Sequence, residues 1–294
     1  NAVMRPLNQL TKIGVFFDRL PCDSDGKTIF DKNMIKENTK AVIINHASNV
    51  FGTVSDIEET GKICSENGLK FIVDSAQSAG TIPISMKKCH IDALCFTGHK
   101  GLYGPQGIGG FIITDDMAEK TEPLISGGTG SQSDLETVPD FMPDRFEAGT
   151  LNIPGIYGLR EGLKFINETG IKTIADKELL LTKLFIESIE QIPNYKIIGS
   201  KTVKNRTATV SVTANTDMAN AAFILVKQFG IMTRVGMHCA PNAHKVMGTF
   251  PSGTIRFSFG FFNTEEEIMY AVEALKSDIM LSEIQNRNCY RQNT

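Results

Sequence analysis

Four short apolar runs recur through the first half of the chain: AVIINHAS (41–48), KFIVDSAQ (70–77), ALCFTGHK (93–100) and GIGGFIIT (107–114). Strands that are apolar on both faces need cover on both faces. Alternating with helical stretches, they imply an α/β fold with a mostly parallel sheet sandwiched by helices. SDIE (55–58) has the form of a capping box and predicts a helix that ends near Gly68. Ligands of such sheets gather where the strands end. Here the runs end in polar sets: His46 to Asn49, Asp74 to Gln77, and Thr97 to Lys100.

Beyond residue 150 the pattern changes. IPGIYGLREGLKFINETG (153–170) predicts a connecting helix and residues 173–192 an amphipathic one. TATVSVTA (207–214) and TIRFSFGFF (254–262) alternate like half-exposed strands, and EEEIMYAVEALKSDIM (265–280) reads as a helix. These elements predict a smaller α+β domain over 166–294, following a large domain over 1–165.

The 294 residues suffice for two domains. A net charge of −3 gives no basic surface for nucleic acid, and no apolar run approaches the ~20 residues of a membrane span. Cys22, Cys64, Cys89, Cys95, Cys239 and Cys289 lack regular spacing, which favours reduced thiols in a cytoplasmic setting over a disulfide framework. The chain begins at Asn1 without an initiator methionine, so an N-terminal portion is expected upstream.

The stretch LCFTGHKGLYGPQGIGG (94–110) concentrates the chemistry. A lysine stands where a buried strand stops, and glycines follow, as if to make room for something bound against the backbone. An aldehyde cofactor such as pyridoxal phosphate (PLP) needs a lysine amine, a carboxylate for its ring nitrogen and donors for its phosphate. Lys100, Asp74, Gln77 (as donor to the ring oxygen), Thr97 and His99 form such a set. Taken singly, each has an ordinary explanation: Asp74 and Gln77 cap a helix, and Lys100 is a solvated loop residue. The joint spacing, Asp-x-x-Gln after one strand and Gly-His-Lys after the next, is far harder to obtain by accident.

FIVDSAQSAG, FTGHKGLYGPQGIGG, RFEAGTLNIPGI and TRVGMHCAP…GTIRFSFGFFNTEEEI together resemble the cysteine desulfurases of the class V aminotransferase group. The resemblance runs from VMRPL to about residue 280. It implies PLP as cofactor in a large domain of the aspartate-aminotransferase kind, N-terminally incomplete here. It also implies Lys100 as the covalent anchor, Asp74 as the ring-nitrogen partner, Gln77 as the ring-oxygen donor, and Thr97 and His99 as phosphate ligands. Asn49, in HASNVFGT, matches an asparagine beside cofactor and substrate. Thr150, in EAGTLN, matches a residue reaching the neighbouring subunit's phosphate, which implies a homodimer with shared sites. The histidine that stacks on the PLP ring falls just before Asn1 in this comparison, and a phosphate-loop threonine falls further upstream.

Arg256, in GTIRFSFG, suits a substrate carboxylate because its fork makes two bonds at once, although a surface salt bridge is the commoner fate of arginine. The resemblance favours the carboxylate role and offers Arg234 as a second contact. Cysteine is most often a small buried hydrophobe. The place of Cys239 in R-x-G-x-H-C-A-P instead matches the nucleophile of desulfurases with a short active-site loop. Two His/Cys groups, Cys89–His90–Cys95–His99 and His238–Cys239–His244, lack paired Cys-x-x-Cys spacing, so no metal is expected. The expected reaction converts L-cysteine to L-alanine, with a persulfide on Cys239 passed to an acceptor protein for iron–sulfur cluster assembly. The alternatives are a lyase acting on L-selenocysteine, another class V aminotransferase or lyase, and an impaired fragment or scaffold.

Overall fold

Helix α1 spans Met4–Leu10 and strand β1 Ala41–Asn45 in a computed structural model that describes residues 1–282. Then follow α2 (Ile57–Glu66), β2 (Lys70–Asp74), β3 (Ala93–Thr97), β4 (Gly109–Ile113), α3 (Asp115–Glu119) and α4 (Ile153–Thr169). The remainder comprises α5 (Ile171–Glu190), β5 (Tyr195–Ile198), β6 (Thr209–Ala214), α6 (Met218–Phe229), β7 (Arg234–Gly236), α7 (Pro241–Val246), β8 (Thr254–Ser258) and α8 (Glu265–Lys276). Cys289 lies outside the described residues.

The chain divides into two units. One comprises Ile35–His46 and Ile57–Ile171; the other gathers Asn1–Met34, Ala47–Asp56 and Lys172–Thr294. The division is therefore discontinuous in sequence, whereas the expectation from sequence was the contiguous pair 1–165 and 166–294.

The first unit carries a four-stranded sheet in the order β1-β2-β3-β4. β1, β2 and β3 run parallel and β4 returns antiparallel to β3, so the sheet is mostly parallel. Val42, Ile44, Phe71, Val73 and Leu94 are buried in it, as the doubly covered apolar runs require. Helix α2 packs so closely that a Cβ on Gly61 would stand 1.8 Å from the Cys89 carbonyl oxygen. Its first residue is Ile57, two positions after Ser55. The Ser55 hydroxyl donates to Thr28 Oγ1 at 3.2 Å, a tertiary contact that the capping-box pattern does not disclose.

The second unit carries an antiparallel sheet in the order β5-β6-β8-β7. Phe185 and Ile189 of α5, Leu225 of α6 and Val272 and Leu275 of α8 bury Val210, Val212, Ile255 and Phe257. Phe185 and Phe257 meet with ring centroids 4.7 Å apart. Helix starts are marked as their sequences suggest. Asp217 accepts from Ala219 N and Asn220 N ahead of α6, and Thr264 and Glu267 form a capping box on α8.

Two strand expectations change. β6 is buried on both faces rather than half exposed, because Thr209 and Ser211 are covered as well as Val210 and Val212. Ser211 Oγ donates to the Val50 carbonyl at 2.5 Å, so the segment 47–56 covers that face. β8 stops at Ser258 rather than continuing to residue 262, since Gly260 N turns to donate to Asn263 Oδ1 at 2.9 Å ahead of α8. Arg206, buried and without an acidic partner among the described residues, staples the unit through carbonyl acceptors. Nη2 donates to Phe51 O (3.2 Å) and Thr209 O (2.6 Å), and Nη1 to Ser200 O (2.7 Å).

Candidate active site

In the first unit, β2 ends in Asp74 and β1 in Asn45, directly opposite one another. Asn45 Nδ2 donates to Asp74 Oδ2 at 3.0 Å and Ala76 N donates to Oδ1 at 2.9 Å. Both carboxylate oxygens are thus held by neutral donors, leaving the negative charge uncompensated by these contacts. A half-buried carboxylate in that state favours a cation or protonated nitrogen beside it. His46 follows Asn45 and is buried, with Nδ1 2.8 Å from Ser78 Oγ. Burial pushes its pKa down to about 4, so its ring is neutral at pH 7. Gln77, half buried, sits in the turn after β2, where Ala79 N donates to Ser75 O at 2.8 Å.

β3, beside β2, ends in half-buried Thr97, and the chain turns through buried Gly98 to exposed His99 and Lys100. Asp74 and Lys100 therefore stand at or just beyond the carboxyl ends of adjacent parallel strands. Thr150 is exposed in the loop two residues before Asn152, which caps α4 by accepting from Gly155 N.

Gly101 and Gly104, which follow Lys100, make room for the protein's own backbone, which corrects for these two the expectation that the glycines clear space for a ligand. A Cβ on Gly101 would lie 2.6 Å from the Ala79 carbonyl oxygen, and one on Gly104 would lie 2.9 Å from that of Gly98. Gly80, at φ +89°, faces the Gly101 carbonyl so closely that a Cβ would stand 1.9 Å from its oxygen. The turn that carries Gln77 and the turn that carries Lys100 are thus locked together without side chains between them.

In the second unit, β7 and β8 place Arg234 directly opposite Arg256. Arg256 Nη1 donates to the Asn49 carbonyl at 2.9 Å, while its Nε is buried without a partner among the described residues. Burial first, and Arg234 second, push the Arg256 guanidinium below its ordinary value, opposed by the nearby Cys239 sulfur. Like charges set opposite on neighbouring strands repel, so the pair is suited to an anion. Arg234 Nη2 also reaches Cys239 Sγ at 3.7 Å.

Cys239 is exposed, and both it (φ 61°) and His238 (φ 47°) are in the left-handed region. For non-glycine residues each such conformation costs roughly 1–3 kcal/mol and persists only where surroundings enforce it. Besides the Cys239 carbonyl, which accepts from Asn1 N at 3.0 Å, the enforcing contacts fall on His238. Its carbonyl accepts from Asn49 Nδ2 at 2.5 Å, and its Nε2 lies 2.8 Å from Thr254 Oγ1. Burial, with Arg256, His244 and Arg234 adding, pushes the His238 pKa down to about 4. His244, fully buried, holds Thr249 Oγ1 at 2.8 Å through Nδ1, and its ring lies 5.5 Å from that of His238. Among the described residues no group of three or more His, Cys, Asp or Glu side chains could hold a metal ion.

The residues of the first unit suit PLP by their chemistry. Among the described residues the carboxylate is held by neutral donors, an amine lies on the turn after the adjacent strand, and hydroxyl and imidazole groups flank that amine. Sequence reasoning missed Asn45 and Thr254, and weighed His238 only as a metal ligand or proton shuttle, not for its hold on Thr254. The polar Asn-His pair ending the first strand, and the Thr two residues before Arg256, were signals available for Asn45 and Thr254.

The family described as Aminotransferase class-V matches residues 1–270. A probable cysteine desulfurase of Pyrococcus abyssi is 35% identical over 266 residues, covering 87% of this chain and 64% of that protein. A cysteine desulfurase of Escherichia coli O8 is 30% identical over 271 residues, covering 90% and 65%. The chain thus spans less than two thirds of the length of these relatives. The apo structure of a cysteine desulfurase from Thermococcus onnurineus NA1 superposes with a TM-score of 0.85 at 32% identity, covering 94% of this chain and 69% of that one. No helix among the described residues is long and apolar enough to cross a membrane. With a strand-end carboxylate, a lysine on the next turn and a family match from the first residue to residue 270, this chain belongs to the class-V aminotransferase family.

Proposed function

We propose that the full-length protein is a PLP-dependent cysteine desulfurase that converts L-cysteine to L-alanine and collects the sulfur as a persulfide on Cys239. The observation that carries this reading is Cys239 itself. It is an exposed thiol in a strained loop, with an arginine N–H 3.7 Å from its sulfur, a feature that transamination does not require. The similarity to cysteine desulfurases over most of the chain supports it.

Bound PLP supplies a sink for the electrons left at the substrate Cα. In this reading Lys100 anchors the cofactor and then takes the α-proton as general base. Asp74, oriented by Asn45 and Ala76 N, holds the proton on the ring nitrogen. Gln77 donates to the ring oxygen, and Thr97 and His99 bind the phosphate. Asn49 takes the role of the asparagine that contacts cofactor and substrate in the resembling family. Arg256, with Arg234, binds the L-cysteine carboxylate, and the unpartnered Nε supplies one arm of the fork. Cys239 Sγ, as the thiolate, attacks the substrate sulfur, forming an S–S bond as the C–S bond breaks; the released pair goes to the substrate Cβ, which takes up a proton to become the methyl of L-alanine.

A persulfide is useful only if it is handed on, so the partner is a sulfur-acceptor protein, and iron–sulfur cluster assembly is its destination. Thr150 reaching a neighbouring subunit's phosphate makes the protein a homodimer with shared sites. A cytoplasmic location accords with free thiols at all five described cysteines.

The test is to assay full-length protein for alanine and sulfide from L-cysteine, with L-selenocysteine in parallel. Cys239→Ala should retain the cofactor's visible absorbance and lose sulfide release, and Lys100→Ala should lose that absorbance. Full activity in Cys239→Ala would sink the persulfide step. Activity on L-selenocysteine alone would replace the substrate.

A further inference from the structure

We propose that His238 is the positioning residue of Cys239, held by Thr254 so that the loop keeps the backbone conformation that presents the sulfur. The inference rests on the desulfurase reading and adds to it a named device for the sulfur-transfer step.

Four observations converge on His238. It and Cys239 are consecutive non-glycine residues at positive φ, so the loop conformation has to be imposed from outside. The His238 side chain is only 3% exposed, which makes it the anchored member of the pair, whereas Cys239 is exposed. The ring is tied at 2.8 Å to Thr254, itself fully buried in β8 two residues before Arg256. The His238 carbonyl accepts from Asn49 Nδ2, while the Asn49 carbonyl accepts from Arg256 Nη1.

These contacts close a ring. From Arg256 the path runs through Asn49 to the His238 backbone, out along the His238 side chain to Thr254, and back along β8 to Arg256. Every link is one hydrogen bond or a short covalent path. The sulfur nucleophile is thereby referenced to the arginine that binds the substrate carboxylate. The His244–Thr249 pair behind the ring leaves His238 little room to tilt, since the two imidazoles stand 5.5 Å apart.

A positioning role differs from a general structural one in which step it serves. Removing the α-proton requires Lys100 and a bound carboxylate but not the Cys239 sulfur. Thr254→Val, which keeps the shape and deletes the hydroxyl, should therefore leave solvent deuterium exchange at the Cα of L-alanine within twofold of wild type. The same variant should slow persulfide formation from L-cysteine at least tenfold, and Thr254→Ser should restore it. In the cofactor-free protein, iodoacetamide should modify Cys239 at least threefold more slowly in Thr254→Val, because the relaxed loop moves Sγ away from Arg234 Nη2; peptide mass spectrometry reads the site.

Equal losses of exchange and persulfide formation would show a merely structural role and overturn the proposal, as would wild-type rates of both. His238→Asn, assayed identically, decides the matter if Thr254→Val does not fold. Cys239→Ser separates this inference from its parent. If that variant still desulfurates, the parent reading fails; if it is inactive while both positioning variants behave as wild type, only the positioning role fails.

Discussion

Asn45 Nδ2 donates to Asp74 Oδ2 at 3.0 Å, and the two residues face one another across β1 and β2. The contact, with that from Ala76 N to Oδ1, fixes the carboxylate's rotation. Asn45→Ala removes one donor without touching the charge. A partly exposed hydrogen bond of this kind is worth about 1 kcal/mol. PLP titration should therefore show roughly fivefold weaker binding in Asn45→Ala. Asp74→Asn, which removes the charge, should weaken it far more. Equal binding in Asn45→Ala and wild type would mean that Ala76 N alone suffices to orient Asp74.

Gly80→Ala tests how the Lys100 turn is held. The new methyl would meet the Gly101 carbonyl at 1.9 Å, and the residue would also have to keep φ +89°. Neither contact involves a flexible side chain that can swing away, so the two turns must separate. We expect a loss of at least about 2 kcal/mol in unfolding free energy by urea titration, from backbone strain and displaced packing. The cofactor absorbance should fall in parallel. A variant of unchanged stability would show that the turns are not locked.

These two positions also show what a sequence discloses. The strand-end residues Asp74 and Lys100 were legible because buried parallel strands write unbroken apolar runs, and the polar residue that stops each run is conspicuous. The glycines were legible as glycines but not in purpose. A sequence records that a Cβ is excluded, not whether a ligand or a carbonyl six or twenty-one residues away excludes it. Asn45 was passed over because its meaning lies in register with Asp74, which depends on how two strands pair. Arg206 carried no signal in the sequence, since its acceptors at Phe51 and Thr209 come together only in the folded unit. The second face of β6 was hidden for the same reason: the segment that covers it lies some 160 residues away along the chain.

His46 makes the stability of its unit depend on pH. Its folded pKa is about 4 against an ordinary value of 6.5, because burial disfavours the charged ring. Between those values the unfolded chain binds a proton that the folded chain does not. Stability contributed by the neutral ring is therefore complete above about pH 6.5 and is lost as pH falls towards 4, by about 1.4 kcal/mol per pH unit. His46→Asn keeps a polar group near Ser78 but cannot titrate. Comparing urea midpoints at pH 7 and pH 5 cancels the other acid-sensitive groups, and wild type should lose more stability than the variant. Equal losses would mean that the ring becomes charged without cost.

Arg234 and Arg256 pose an opposite trade between stability and binding. They stand opposite each other on β7 and β8, and Arg256 keeps a buried Nε without a partner among the described residues. Two cations so placed destabilise the resting sheet, typically by a few tenths to about 1 kcal/mol. Removing one should therefore raise the melting temperature if the pair exists for an anion. Arg234→Gln should melt a few degrees higher than wild type and gain less from added L-alanine, whose carboxylate would otherwise relieve the repulsion. Arg256→Lys retains the charge but loses the fork, which two-point carboxylate binding needs. We expect its KM for L-cysteine to rise at least tenfold, about 1.4 kcal/mol, with the cofactor spectrum intact. If Arg234→Gln instead melted lower, with the response to L-alanine unchanged, the arginine pair would be a structural element and the carboxylate would have to bind elsewhere.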